Sequence, residues 1–236
     1  CRRMDDRVSL WLLNNWYTPY RDHPNMVQVV ALARFVNKPS SLEPLTLILF
    51  QEGIPWEKVI NTLQVIQSKG KVFSPAYMIR ASKTKGEDKV TTVVNDYVRP
   101  LTNKPPKIDP TSMERTWAAL VERYGFGSFM SGQVVADLRW ALSGTWKDRN
   151  SWAPMGPGSK RGLNRIYGRL PEAPLTQEQF LTGLKEVIAQ CEKVLPLSLT
   201  SRLEMMDFQS VLCETDKYNR VLLGEGRPKQ IYKYGG

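Results

Sequence analysis

The stretch from Trp152 to Arg165 holds the densest set of groups able to act on an anion. Gly156 and Gly158 alternate with proline in a turn, and Ser159, Lys160, Arg161, Asn164 and Arg165 come after it with Gly162 among them. A glycine- and proline-rich turn opening into a basic helix exposes backbone N–H groups and the positive end of the helix dipole, which suits a phosphate. Glycine lets the backbone approach a ligand closely, and the three cations supply charge that a plain turn does not need. The same residues also read as an ordinary helix start with a solvated basic face, and taken alone they do not separate the two readings.

The chain around this stretch is long enough to bury a substantial core. With 236 residues, 42% hydrophobic and 24% charged, it reads as one domain spanning 1–236 or two closely packed lobes. A net charge of +10 and a sequence pI near 9.6 point to a polyanionic partner, most simply nucleic acid. Cys1, Cys191 and Cys213 are too few and too scattered for a disulfide framework, and the single histidine, His23, leaves no zinc constellation. No apolar run approaches the roughly 20 residues needed to cross a bilayer and no signal peptide opens the chain, so a cytoplasmic protein without a membrane partner is expected. The chain begins Cys-Arg-Arg-Met, which leaves room for a neighbouring domain.

The elements that must position the basic turn are predicted to be helical. Apolar residues recur at helical spacing over Val8 to Trp16, Val27 to Val36, Leu45 to Phe50, Pro55 to Ile66, Asp88 to Val98, Thr111 to Tyr124, Ser128 to Leu142, Ser159 to Tyr167, Gln177 to Val194 and Ser201 to Cys213. Pro75 to Arg80 reads as a short strand or an extended loop, and the proline-rich 103–110 segment reads as a lobe boundary. An all-α fold of two packed helical lobes is expected, with at most one small hairpin.

Gly125-Phe126-Gly127, between two of these helices, has the form of a helix-hairpin-helix element. Such an element docks on a DNA backbone through loop amides at a helix N-terminus, with Ser128 placed to cap the second helix. An ordinary helix-helix turn is the plainer reading. In helix-hairpin-helix DNA glycosylases a catalytic aspartate stands in the downstream segment. Here that place holds the basic turn and no aspartate, which argues against base excision.

Four blocks in order carry a more specific resemblance: Gly125 to Arg139, Trp152 to Arg165, Leu212 to Arg220 and Gly224 to Lys229, preceded by Trp16 to Pro24 and Ala33 to Asn37. Together they resemble phage thymine-hypermodification proteins: the alpha-glutamyl or putrescinyl thymine pyrophosphorylases, also called amino acid:DNA transferases, and the helical domain of the 5-hydroxymethyluracil DNA kinases. The resemblance implies double-stranded DNA carrying a modified thymine-like base, an amino acid or polyamine co-substrate, no cofactor or metal, and the cytoplasm of an infected bacterial host. The implied reaction is attack of an amine on the 5-methylene of pyrophosphorylated 5-hydroxymethyluracil, with release of pyrophosphate.

That chemistry assigns roles. Cations and helix-end amides stabilise a departing pyrophosphate, a task for Gly156, Gly158, Ser159, Lys160, Arg161 and Arg165. The amine must be neutral to attack, which calls for a carboxylate base. Asp137, ending a helical run ahead of the basic turn, is the first choice, with Glu214 and Asp216 in reserve; pairing with Arg139 or Arg161, or capping a helix, is its plainer role. Asn164 either hydrogen-bonds the uracil edge or holds the turn closed. Trp16, Tyr17 and Tyr20 beside Arg21, with Arg34 and Asn37 following, suit a flipped base or an amino-acid carboxylate; most such aromatics are core, so only Arg34 and Asn37 are assigned to the site. Gly125, Gly127, Ser128, Lys217, Tyr218 and Arg220 are the expected DNA contacts, the last three on a closing flap. Two readings of other classes remain: a helical module of a 5-hydroxymethyluracil DNA kinase that positions DNA without chemistry, and a glycosylase-like repair protein. No Gly-x4-Gly-Lys-[Ser/Thr] loop occurs in the chain, so it is not an intact kinase.

Overall fold

The structure, a computed structural model, describes residues 2–77, 79 and 86–226. Among the described residues there are helices and turns and no strand, as the all-α expectation requires. In chain order the helices are α1 (Arg7–Leu12), α2 (Met26–Val36), α3 (Pro39–Leu42), α4 (Thr46–Leu49), α5 (Trp56–Lys69), α6 (Lys89–Thr91), α7 (Pro100–Asn103), α8 (Met113–Val121), α9 (Gly127–Ala141), α10 (Pro157–Ile166), α11 (Gln177–Val194), α12 (Leu197–Thr200) and α13 (Met205–Leu222). Two π-helical segments, Leu13–Tyr17 and Thr92–Val98, continue α1 and α6. Pro75 to Tyr77 form a turn, and part of the strand considered over 75–80 lies outside the described residues.

Contacts group the chain into two units, Met4–Asp148 and the pair of segments Cys1–Arg3 and Arg149–Gly236. The 103–110 segment lies within the first of these.

In the first unit α2 and α9 pack on one another at the centre. Met26 to Val36 is almost wholly apolar and buried on all sides, the pattern of a helix surrounded by others. Asn37 stops it in the left-handed region, at φ 49°, where asparagine is among the few side chains tolerated. The Gly-Phe-Gly turn joins α8 to α9, with Gly125 at φ 86° and Gly127 at φ 57°. A Cβ on Gly125 would stand 2.2 Å from the Tyr97 ring, so both backbone angle and packing demand glycine there. Ser128 does not cap α9. The helix starts a residue earlier, at Gly127, with Phe126 at the cap position; that ring is buried edge-on to Phe35, and this apolar anchor sets the start instead of a hydroxyl. The N-terminus of α8 is satisfied by Asp148, which accepts from Met113 N at 2.8 Å and Glu114 N at 3.0 Å.

In the second unit α10 and α13 cross closely, and two glycines four residues apart permit it. A Cβ on Gly158 would lie 3.2 Å from Cys213 Sγ, and one on Gly162 only 2.1 Å from the Leu212 carbonyl oxygen. α11 begins with a capping box in which Thr176 and Gln179 satisfy each other's backbone N–H groups. Glu214 to Arg220, expected as a closing flap, is regular helix inside α13; Glu204 and Asp207 cap that helix, and buried Leu212 and Asp216 tie its inner face down.

Candidate functional site

Arg34 is a charge on an otherwise apolar buried helix, which requires a partner close by. It finds Asp137 on α9 across 103 residues of sequence. Arg34 Nε donates to Asp137 Oδ2 at 2.6 Å and Nη2 to Oδ1 at 2.9 Å, a two-pronged pair with side chains 1% and 0% exposed. Two further donors are used: Nη2 reaches Ser9 Oγ at 2.7 Å and Nη1 reaches Asn37 Oδ1 at 3.0 Å. Tyr17 donates its hydroxyl to Asp137 Oδ2 at 2.6 Å. Burial alone would lower the Arg34 pKa, but the Asp137 carboxylate, with Tyr77 and Tyr17, raises it above its ordinary value. The guanidinium is therefore permanently charged. At the edge of this cluster, half-buried Tyr77 donates to Gln133 Oε1 at 3.1 Å and meets the Phe129 ring edge-on.

The structure thus brings together four residues singled out in sequence, Tyr17, Arg34, Asn37 and Asp137, and adds Ser9. Asp137 lies inside α9, not at its end, and its carboxylate holds Arg34. Tyr17 owes its position to the π-helical turn Leu13–Tyr17. That turn shifts the register by one residue, sending Trp16 into one aromatic cluster and Tyr17 to Asp137. The lone arginine in Val-Ala-Leu-Ala-Arg-Phe-Val is the sequence signal of a buried partner; nothing in the sequence marks Ser9 or the π turn.

The second set lies on α10. Gly156 precedes the helix and Pro157 opens it. Ser159 Oγ accepts from Gly156 N at 3.0 Å and from Gln209 Nε2 at 3.1 Å, and the hydroxyl is fully buried. Gly158 and Ser159 therefore face α13, and the glycine spacing serves helix packing. The cations stay partly exposed. Arg161 Nε and Arg165 Nε both donate to Asp216, at 2.8 and 3.1 Å, and Asp216 is fully buried. Their outer contacts are exposed carboxylates: Glu172 lies 3.7 Å from Arg161 and 3.9 Å from Lys160, and Glu225 pairs with Arg165. Glu225 and Asp216 raise the Arg165 pKa. Asn164 is buried, and its amide donates to the carbonyls of Pro171 and Ala173 at 3.1 Å each, closing the segment after α10.

Of the expected DNA contacts, Gly125, Gly127 and Ser128 share the α8–α9 turn, where the Ser128 carbonyl accepts from Trp117 Nε1 at 3.0 Å. Lys217, Tyr218 and Arg220 lie on α13, with Tyr218 68% exposed and Lys217 paired to Glu214. The last part of the Gly224 to Lys229 block, 227–229, lies outside the described residues.

Cys213, against Gly158, has its pKa pushed up to about 11, chiefly by burial. The ordinary thiol value is 9.0, so at neutral pH the Cys213 thiolate is scarcer by roughly a hundredfold. Iodoacetamide is accordingly expected to label Cys213 about a hundred times more slowly in the folded chain than in denaturant, as measured by peptide mass spectrometry.

Among the described residues no group of three or more His, Cys, Asp or Glu side chains is placed to hold a metal ion, and no helix is long and apolar enough to cross a membrane. A family model described as the helical domain of 5-hmdU DNA kinase matches residues 1–227. The chain belongs to this family. The family is named for a kinase of 5-hmdU DNA, which links this helical domain to DNA modification. No curated protein and no solved structure matches it.

Proposed function

We propose that the chain acts on a 5-hydroxymethyluracil-derived base in DNA and transfers an amino acid or amine to its 5-methylene carbon. The bond from that carbon to the pyrophosphate oxygen breaks with its electron pair leaving on pyrophosphate, a carbon–nitrogen bond forms, and the proton lost by the amine passes to solvent water. The observation that supports this reading is the cation pair on α10. Buried Asp216 fixes Arg161 and Arg165 from beneath, while their outer partners, Glu172 and Glu225, are 75% and 44% exposed and can be exchanged for a ligand. A pyrophosphate offers more negative charge than those carboxylates, and prepositioned guanidinium groups stabilise it most as it leaves.

The second reading, a DNA-positioning module without chemistry of its own, is favoured by one observation. Both oxygens of Asp137 are already taken by Arg34 and Tyr17, which makes that carboxylate a poor base. Nucleoside mass spectrometry after incubation with pyrophosphorylated 5-hydroxymethyluracil DNA and an amine pool separates the readings. Aminated thymidine is expected; released free base would mean a glycosylase, and unchanged DNA the positioning module. Arg161→Ala is expected to abolish turnover with the melting curve preserved, because Arg165 still neutralises Asp216. Survival of full activity in Arg161→Ala would remove the pyrophosphate from α10.

A further inference from the structure

We infer that Tyr20 and Phe50 form a stacking platform for an unpaired pyrimidine base of a DNA strand. The two rings lie face to face, with centroids 3.8 Å apart and planes 6° from parallel. His23 and Trp16 set their rings edge-on against Phe50 at 5.4 and 5.8 Å, and Trp11 meets Trp16 at 5.5 Å. Trp16 is fully buried, whereas Trp11, Tyr20, His23 and Phe50 are partly exposed and Arg21 beside them is exposed. This is an aromatic cluster with a buried foot, Trp16, and partly exposed rings around it, next to a cation.

The loop that carries Tyr20 is fixed on both sides. Asp22 sits in the left-handed region at φ 60°, which few non-glycine residues other than asparagine and aspartate adopt, and is held there by its N–H to the Ala141 carbonyl at 3.0 Å and by accepting from Ser143 N at 2.6 Å. Asn25 Nδ2 donates to the carbonyls of Leu49 and Gln51 at 3.0 and 2.9 Å, which ties the loop to the segment bearing Phe50. A surface pair so clamped loses little freedom when a ring is laid on it, which is the requirement for base stacking. Every base presents a π face, and Arg21 supplies the charge for the adjoining phosphate. The platform also touches the buried cluster through one turn: Trp16, at its foot, is adjacent in sequence to Tyr17, whose hydroxyl reaches Asp137.

This inference rests on the reading that the chain meets DNA bases, but its test is binding and not turnover, so either can fail alone. The full chain is titrated, by its tryptophan fluorescence, with a short oligothymidylate and with an abasic strand of the same phosphate count. Oligothymidylate is expected to quench the fluorescence and bind about tenfold more tightly than the abasic strand, the scale of one stacked base. Tyr20→Leu should erase that difference and Tyr20→Phe should keep it. Equal binding of the two strands by the unaltered chain overturns the platform whether or not Tyr20→Leu folds, and so does a folded Tyr20→Leu that keeps the preference.

Discussion

Asp137→Ala is expected to cost the protein about 3–5 kcal/mol of stability, the usual penalty for stripping one partner from a buried ion pair. Arg34 would keep its contacts to Ser9 and Asn37, but its charge would have no counter-ion in a core where its side chain is 1% exposed. The Tyr17 hydroxyl would lose the carboxylate it donates to as well. Against a typical total of about 5–15 kcal/mol, such a loss brings folding near its threshold, and a urea melt should show the midpoint fall accordingly. The double variant Arg34→Met, Asp137→Leu should recover most of the loss, because apolar side chains of similar size fill the space without a charge to desolvate. Recovery of the fold without recovery of turnover would show that turnover needs the pair itself and not only the stability it gives. A single variant within about 1 kcal/mol of the unaltered chain would mean that Arg34 does not depend on Asp137.

The pair also shows where sequence reasoning reaches its limit. Helical periodicity places Gln177–Val194 to the residue, while Arg34, read from sequence as a substrate contact, is a buried charge amid valine, alanine and phenylalanine. Periodicity reports which face of a helix is apolar, not which helix covers it. Sequence proximity therefore sets Asp137 against Arg139 and Arg161, while its partner lies 103 residues away. The π turn at Leu13–Tyr17 escapes for a similar reason: one extra residue in a turn has no compositional mark, yet it decides that Tyr17 faces Asp137. The basic turn is legible as residues and not as roles. Glycine there is compatible with close approach of a ligand or of another backbone, and the Gly158 to Gly162 spacing puts both on one helical face without saying what that face meets.

Gly162→Ala separates those two uses of glycine. On an open helix the change would stabilise by about 1 kcal/mol, since alanine loses less backbone freedom. Here the new Cβ would stand 2.1 Å from the Leu212 carbonyl oxygen and 2.8 Å from its carbon, and neither belongs to a side chain that can swing aside. α10 and α13 must move apart. That separation strains the Gln209 bond to Ser159 and the bonds of Arg161 and Arg165 to Asp216, which all span the same two helices. A net loss of about 1–3 kcal/mol is expected, the scale of overpacking a close contact, with the sign reversed from the open-helix case. Gly158→Ala should cost less, because the atom it meets first is the Cys213 sulfur at 3.2 Å, and Cys213→Ala should relieve it. Thermal melts of the three variants decide the matter. A Gly162→Ala chain as stable as the unaltered one but without turnover would return that glycine to ligand binding, whereas a lowered melting temperature with activity retained at low temperature makes it the hinge-pin of the α10–α13 crossing.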